Sequence, residues 1–189
     1  MEEFKLILFS IILTIVILQR LIELMVARKN ERIMLSKGAF EAGSSHYPYM
    51  IALHVSFFLS LIIEVVLFDK EISLIFPYLF TLFIFVQLMR IWCLMSLGIF
   101  WNTKIIILPG ANIVKKGPYL FMRHPNYLVV CSEILVLPLM FNAYFTAILF
   151  TLLNFLMLSV RIPTEERALI EATNYSEQFK RGFQHQDIN

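Results

Sequence analysis

Long apolar runs alternate with short polar segments along the whole chain. The first three runs cover about residues 4–27, 49–68 and 72–97, and each meets the roughly 20 residues a helix needs to cross a hydrocarbon core of about 30 Å. Two shorter runs follow, residues 127–141, which contain Pro138, and residues 143–160. They predict a tight helical hairpin around Asn142 that leans or only just spans. The first run is long for a cleavable leader and is followed by Glu23, Arg28 and Lys29 rather than small residues, so it is expected to stay as a helix. The reading is an all-α integral membrane protein of five transmembrane helices. An amphipathic C-terminal helix over residues 167–183 is expected along the cytosolic surface. Residues 1–189 read as a single membrane domain, with three N-terminal spans in 1–97 and a more polar part in 98–189 that holds the hairpin 127–160.

Composition agrees. The 189 residues are 59% hydrophobic and 16% charged, where a water-exposed domain is near a quarter charged. Eighteen phenylalanines against six glycines and seven prolines exclude a disordered chain. A net charge of +2 gives no general basic field, so no nucleic-acid partner is expected. Cys93 and Cys131 lie in apolar runs without a CxxC pair or ligand spacing, and no metal site is expected.

The basic residues set the topology. Arg28, Lys29, Arg32 and Lys37 follow span one, Lys104, Lys115, Lys116 and Arg123 follow span three, and Arg161, Arg167, Lys180 and Arg181 follow span five. The alternate connections hold only Lys5 and Lys70, the latter flanked by Asp69 and Glu71. The positive-inside rule then predicts an outside N-terminus and a cytoplasmic C-terminus, in the plasma membrane if the source is bacterial. Both polar stretches, residues 98–126 and 161–189, fall on the cytoplasmic side, where chemistry is expected.

Ionisable residues at bilayer depth are costly and point to function by default. Arg20 and Glu23, three apart on one face, are expected to pair. Glu64 and Arg90 are read as snorkelling near span ends. His54 and Glu133 have no local partner, which leaves a proton relay open.

Two polar groupings stand out. In the first, residues 115–127, Gly117-Pro118 marks a turn with proline at a first helical position, and Arg123-His124-Pro125 breaks the chain just before span four. The residue before proline, His124, is pushed toward extended backbone. Such a break frees backbone groups that a polar ligand can satisfy; an interfacial anchor with Tyr119 and Tyr127 in an aromatic belt is the alternative. In the second, Arg161 and Glu165 lie four apart on one helix face. They read either as a surface ion pair or as a guanidinium fork for an anionic, lipid-soluble acceptor beside a carboxylate for an ammonium.

At these groupings, over roughly residues 100–180, the chain resembles the isoprenylcysteine carboxyl methyltransferase family of small integral-membrane enzymes. The matching motifs are Gly117-Pro118-Tyr119, Arg123-His124-Pro125-Asn126-Tyr127, an apolar hairpin, and Arg161 followed by Glu165-Glu166. The resemblance implies S-adenosylmethionine as cofactor, lined by Ala111, Asn112, Ile113, Val114, Tyr119, His124, Pro125, Asn126 and Tyr127. It assigns Glu165 to the cofactor's amino group and Arg161 to the acceptor, as the catalytic residue. Lys104 and Ala111 stand where members acting on prenylated proteins carry Gln and His, and Val129 stands where a Gly is common. The expected acceptor is therefore a lipophilic small molecule met in the bilayer, methylated on a carboxylate or on a phenol or enol hydroxyl. The alternatives are a lipid-amine N-methyltransferase of the same superfamily and a non-catalytic transport protein with a polar path through His54, Arg90 and Glu133. No internal repeat supports the transporter.

Overall fold

The computed structural model describes residues 2–175. Its helices are α1 (Glu2–Ser36), α2 (Tyr47–Ile62, continued by a π turn over Ile63–Leu67), α3 (Phe76–Leu97), α4 (Pro125–Leu139) and α5 (Tyr144–Ala172). Helices α1, α2 with its extension, α3 and α5 are long and apolar enough to cross a membrane, whereas α4 has only 15 residues. At 1.5 Å per residue α4 reaches about 22 Å, less than a hydrocarbon core. Four of the five expected spans thus have the length to cross, and α4 alone does not.

The outer faces confirm what surrounds the helices. Along α1, Phe9, Ile12, Leu13 and Val16 are buried while Ile7, Ile11, Ile15, Leu18 and Ile22 are exposed. A water-facing helix would put polar residues there; apolar residues on both faces suit lipid outside and packing inside. The inner face of α1 meets an edge-to-face ring pair, Phe9 with Phe141 at 5.0 Å between centroids, and Phe57 of α2 makes the same kind of pair with Phe150 of α5 at 5.6 Å.

Two boundaries and one added element differ from the hydropathy reading. α1 continues past Ala27 to Ser36, because residues 28–32 are polar but mostly good helix formers, Ile33, Met34 and Leu35 follow them, and hydropathy is blind to propensity. α5 runs without interruption from Tyr144 to Ala172, with Pro163 inside. Residues 167–172 therefore belong to α5 rather than starting a separate surface helix, and 176–183 lie outside the described residues. The third difference is a short ladder absent from the all-helical expectation: β1 (Phe40–Ala42) pairs antiparallel with β2 (Ile105–Ile107), Phe40 opposite Ile107 and Ala42 opposite Ile105. Ile105 and Ile107 pack on Ala168 of α5.

The expected turn at Asn142 is present. Asn142 sits at φ 50°, a left-handed position that asparagine tolerates, and its Nδ2 donates to the Glu71 carbonyl at 3.1 Å. Lys5 pairs with Asp69. These contacts gather the start of α1, the α2–α3 connection and the α4–α5 turn at one end, while β1, β2 and the motif loops share the other. Glu64 does not snorkel. It is buried at the end of α2 and accepts the backbone N–H groups of Phe145 (3.1 Å) and Thr146 (2.7 Å), so it caps the first turn of α5, where a carboxylate meets both free donors and the positive end of the helix dipole.

Candidate active site

Helices α2 and α5 run antiparallel. Met50 lies against Arg161, Ser60 bonds Thr146 at 2.8 Å, and Glu64 reaches Phe145. Between them, α1 and α4 lies a cavity of about 610 Å³. Its wall on α4 is Asn126, Tyr127, Val130, Glu133, Ile134 and Leu137, the i, i+3, i+4, i+7 face of a helix. Pro125 is buried at the first helical position and fixes where that face begins, after His124 leaves helical backbone at φ −128°, ψ 57°.

Arg161 sits at the polar end of this cavity, 5% exposed. Its Nε donates to the Tyr127 hydroxyl at 2.9 Å, Nη2 to the Thr103 carbonyl at 2.6 Å and Nη1 to Met50 Sδ at 3.2 Å. All three acceptors are neutral. Arg161 and Glu165 make no direct ion pair; the Tyr127 hydroxyl stands between them, accepting from Arg161 and donating to Glu165 Oε2. The surface ion pair is thereby replaced by a part-buried relay. A guanidinium out of water without a carboxylate against it is electrostatically incomplete, and among the described residues no acidic group lies within ion-pair distance of it.

The motif turn, Gly117–Leu120, packs on α3. Gly117 has φ 57°, and a Cβ there would lie 2.2 Å from Ser96 Oγ and 2.7 Å from Trp92 Nε1, so both conformation and space require glycine. This seats Tyr119 against Cys93, and burial raises its phenol pKa further than do the nearby Cys93 and Glu165 charges; it serves as a neutral hydroxyl. His124 Nε2 bonds Glu166 Oε1 at 3.1 Å, and its ring stacks on Tyr127 at 5.3 Å. The same Glu166 oxygen accepts from the Tyr175 hydroxyl at 3.2 Å. Burial and the Glu166 charge push that phenol up to about 12.

The structure brings Tyr119, His124, Asn126, Tyr127, Arg161 and Glu165 to the cavity. It places the segment Ala111–Val114 elsewhere. Ile113 N–H donates to Asn174 Oδ1 at 3.2 Å, Asn174 Nδ2 donates to Asn112 Oδ1 at 3.0 Å, and none of the four residues lines the cavity. Tyr127 faces the interior rather than an aromatic belt. The cavity also recruits residues that no motif marked: Tyr47, Met50, Trp101, Asn102 and Thr103. Met50 gives no signal in its apolar run and Tyr47 none just before it, whereas residues 101–103 belong to the polar stretch 98–126 that the topology singles out. Lys104 pins this stretch through Glu31 (2.8 Å) and Glu41 (3.0 Å), and their carboxylates hold its ammonium pKa above the ordinary value.

Deeper in the cavity lies a buried cluster. Glu133 Oε1 accepts from Arg20 Nη2 (2.6 Å), Gln87 Nε2 (2.7 Å) and Arg90 Nε (3.1 Å), while Arg90 Nη2 pairs with Oε2 (2.7 Å). Glu23 takes Arg20 and, at 3.2 Å, Arg90 Nη1. Arg20 and Glu23 do pair as expected, but Arg90 faces inward and does not snorkel, and Glu133 has partners on three other positions of α1 and α3. Two arginines and two glutamates sum to zero charge and are cross-bonded, which is how a membrane interior tolerates them.

Several buried polar atoms along the cavity have no hydrogen-bond partner among the described residues: Asn126 Oδ1, Trp101 Nε1 and Asn102 Nδ2. Buried orphans cost about 1–3 kcal/mol each, and here they offer one acceptor and two donors to a ligand. With the carboxylate of Glu165 lining the same cavity, the set suits a ligand that carries an ammonium and further polar groups, as an amino-acid-like cofactor does.

Residues 78–171 match the isoprenylcysteine carboxyl methyltransferase (ICMT) family. The chain is 50% identical over 163 residues to a Bacillus subtilis protein named "Uncharacterized protein YpbQ", covering 86% of this chain and 97% of that one. It is 28% identical over 151 residues to an uncharacterized protein of Haemophilus influenzae, covering 79% and 88%. No solved structure matches it.

Proposed function

This chain belongs to the isoprenylcysteine carboxyl methyltransferase family, a family of membrane methyltransferases, and from that premise we propose that it is an S-adenosylmethionine-dependent O-methyltransferase for a lipophilic acceptor. The observation that carries the reading is Arg161, a buried cation held only by neutral acceptors at the polar end of an apolar cavity. An acceptor that binds as a carboxylate, or as the anion of a phenol or enol, supplies the missing charge. The contact to Met50 Sδ, a weak acceptor on a flexible side chain, is the one such an anion replaces most readily. A cationic lipid amine has no such complement there.

The cofactor, when bound, supplies a methyl group on a sulfonium. Glu165 and the Asn126 carbonyl hold its ammonium, and Tyr119 and His124 flank the same end of the cavity. Arg161 orients the acceptor oxygen, and Tyr127 couples its position to that of Glu165 through one hydroxyl. The apolar wall from Val130 to Leu137 takes the acceptor's hydrocarbon and excludes water. Alignment in a closed site is the main contribution such a displacement needs from the protein.

The same reading sets the chain in the membrane with five passes, of which α4, too short to cross the hydrocarbon core by itself, runs packed between α3 and α5. The N-terminus lies outside and the cytoplasmic face carries β1, β2 and the motif loops. The lipid bilayer is then the acceptor's solvent as well as the protein's.

Titration of S-adenosylmethionine into the purified chain in non-ionic detergent is the test. The wild type binds, Glu165→Gln binds roughly 10- to 150-fold more weakly, as expected for one charge-assisted hydrogen bond of about 1.5–3 kcal/mol, and His124→Ala also binds more weakly. Folded, unaggregated protein with no cofactor affinity contradicts the proposal.

A further inference from the structure

His54 is one turn in from Met50 on α2, so it lines the cavity on the apolar side of Arg161. Its Nδ1 lies 2.8 Å from the Met50 carbonyl. A carbonyl only accepts, so Nδ1 carries the hydrogen, and in the neutral ring Nε2 keeps its lone pair. Nε2 makes no hydrogen bond to any described residue. One residue, Met50, therefore ties together a guanidinium at its sulfur and an imidazole at its carbonyl, both facing the same space.

The other titratable groups on this side are engaged. Both Glu133 oxygens and Glu23 are taken by Arg20, Gln87 and Arg90. The Tyr127 oxygen accepts from Arg161 while its hydrogen goes to Glu165. His124 lies toward Glu166, on the cofactor side. The charged groups that face His54 are Arg20 from α1, Glu133 from α4 and Arg161 from α5.

Resting on the function proposed above, we propose that His54 Nε2 is a catalytic base that takes the proton of a hydroxyl acceptor, so that a long-chain phenol or enol is held in the cavity as its anion against Arg161. The O–H bond breaks, its electron pair stays on oxygen, and the proton forms the second N–H bond of an imidazolium. No net charge enters the cavity, since cation and anion arise together. A carboxylic acid is already ionised at neutral pH and needs no such base, so His54 fits the site to hydroxyl acceptors rather than to carboxylates. Beyond His54, α2 offers Phe57, Phe58 and Ile62 to the cavity; from Met50 to Ile62 this is about 18 Å of helix for the hydrocarbon chain.

The probe is a dodecyl nitrophenol, whose anion absorbs visible light and whose neutral form does not, added to the full chain in non-ionic detergent without cofactor. Binding is read separately from quenching of tryptophan emission, since Trp101 lines the cavity, and with the probe's methyl ether, which has no proton to lose. At a pH where the probe is neutral in empty micelles, the wild type should show the anion band. His54→Gln should bind probe and ether alike but show at least a tenfold lower ratio of anion to neutral form. His54→Asn provides the same comparison should the first variant misfold. An equal anion fraction in wild type and variants, a neutral probe on the wild type, or no binding to the wild type overturns the proposal. Cofactor titration on the same samples reads the methyltransferase proposal separately: absent cofactor affinity removes that function and leaves the probe result standing.

Discussion

Replacing Arg161 by glutamine separates a substrate-facing cation from a structural one. In the folded protein this side chain gives up its hydration for three neutral acceptors, Tyr127 Oη, Thr103 O and Met50 Sδ. Neutral hydrogen bonds contribute about 1 kcal/mol each, while an uncompensated buried charge costs several kcal/mol. Glutamine keeps a donor and removes the charge, so the two changes roughly offset, and the unfolding midpoint in detergent should move by no more than a few degrees. Turnover responds differently. A bound anion loses one charge-assisted hydrogen bond, about 1.5–3 kcal/mol, which is roughly a 10- to 150-fold fall in kcat/KM. Cofactor affinity should be unchanged, because Glu165 and Asn126 remain. The assay is methyl transfer to a lipophilic acceptor at saturating cofactor, with a cofactor titration and a thermal melt on the same sample. A large loss of stability, or lost cofactor binding with unaltered kcat/KM per folded molecule, refutes the assignment.

Other perturbations follow from the packing. Glu133→Gln leaves Arg20 and Arg90 sharing one carboxylate and should destabilise the fold by about 3–5 kcal/mol, read from denaturant or thermal unfolding; an unchanged midpoint contradicts the buried cluster. Gly117→Ala forces a Cβ to 2.2 Å from Ser96 Oγ at a positive φ and should lower both stability and cofactor affinity, with partial recovery when combined with Ser96→Gly. Lys104→Met removes two partly exposed ion pairs, together no more than about 1 kcal/mol after solvent screening. Because the Lys104 pKa is raised, its contribution is complete below the ordinary lysine value and is lost only as pH rises through the raised one. The difference in melting temperature should therefore be the same at pH 6 and pH 9.

How far the sequence discloses the molecule depends on the range of the interactions. Apolar runs reveal α2, α3 and the α4–α5 turn because each is set by a local property: length, a proline at the first helical position, or an asparagine that accepts positive φ. The end of α1 was misplaced because residues 28–32 change polarity without losing helix propensity. A three-residue strand such as β2, Ile105–Ile107, carries no periodicity that sets it apart from any short apolar segment. Arg123-His124-Pro125-Asn126-Tyr127 and Arg161 with Glu165 were legible as a constellation, but the Tyr127 bridge between Arg161 and Glu165 was not. Their spacing of four allowed a direct pair, and only the approach of α4 inserts the hydroxyl. Arg90 and Glu133, 43 residues apart, could be joined from sequence only as a polar path with His54; packing of α3 on α4 makes them direct partners in a closed, neutral cluster. Met50 and Thr103 join the site through a sulfur and a backbone carbonyl, groups whose role no side-chain pattern announces.

The central claim is that this chain transfers a methyl group to the oxygen of a lipophilic acceptor held by Arg161. Membranes that contain the protein, given methyl-labelled S-adenosylmethionine and an extracted lipid pool, should yield a labelled O-methyl ester or ether by mass spectrometry. Its initial rate of formation should fall roughly 10- to 150-fold in membranes carrying Arg161→Gln. Label on a lipid amine, or no labelled lipophilic product from folded protein that binds the cofactor, would contradict it.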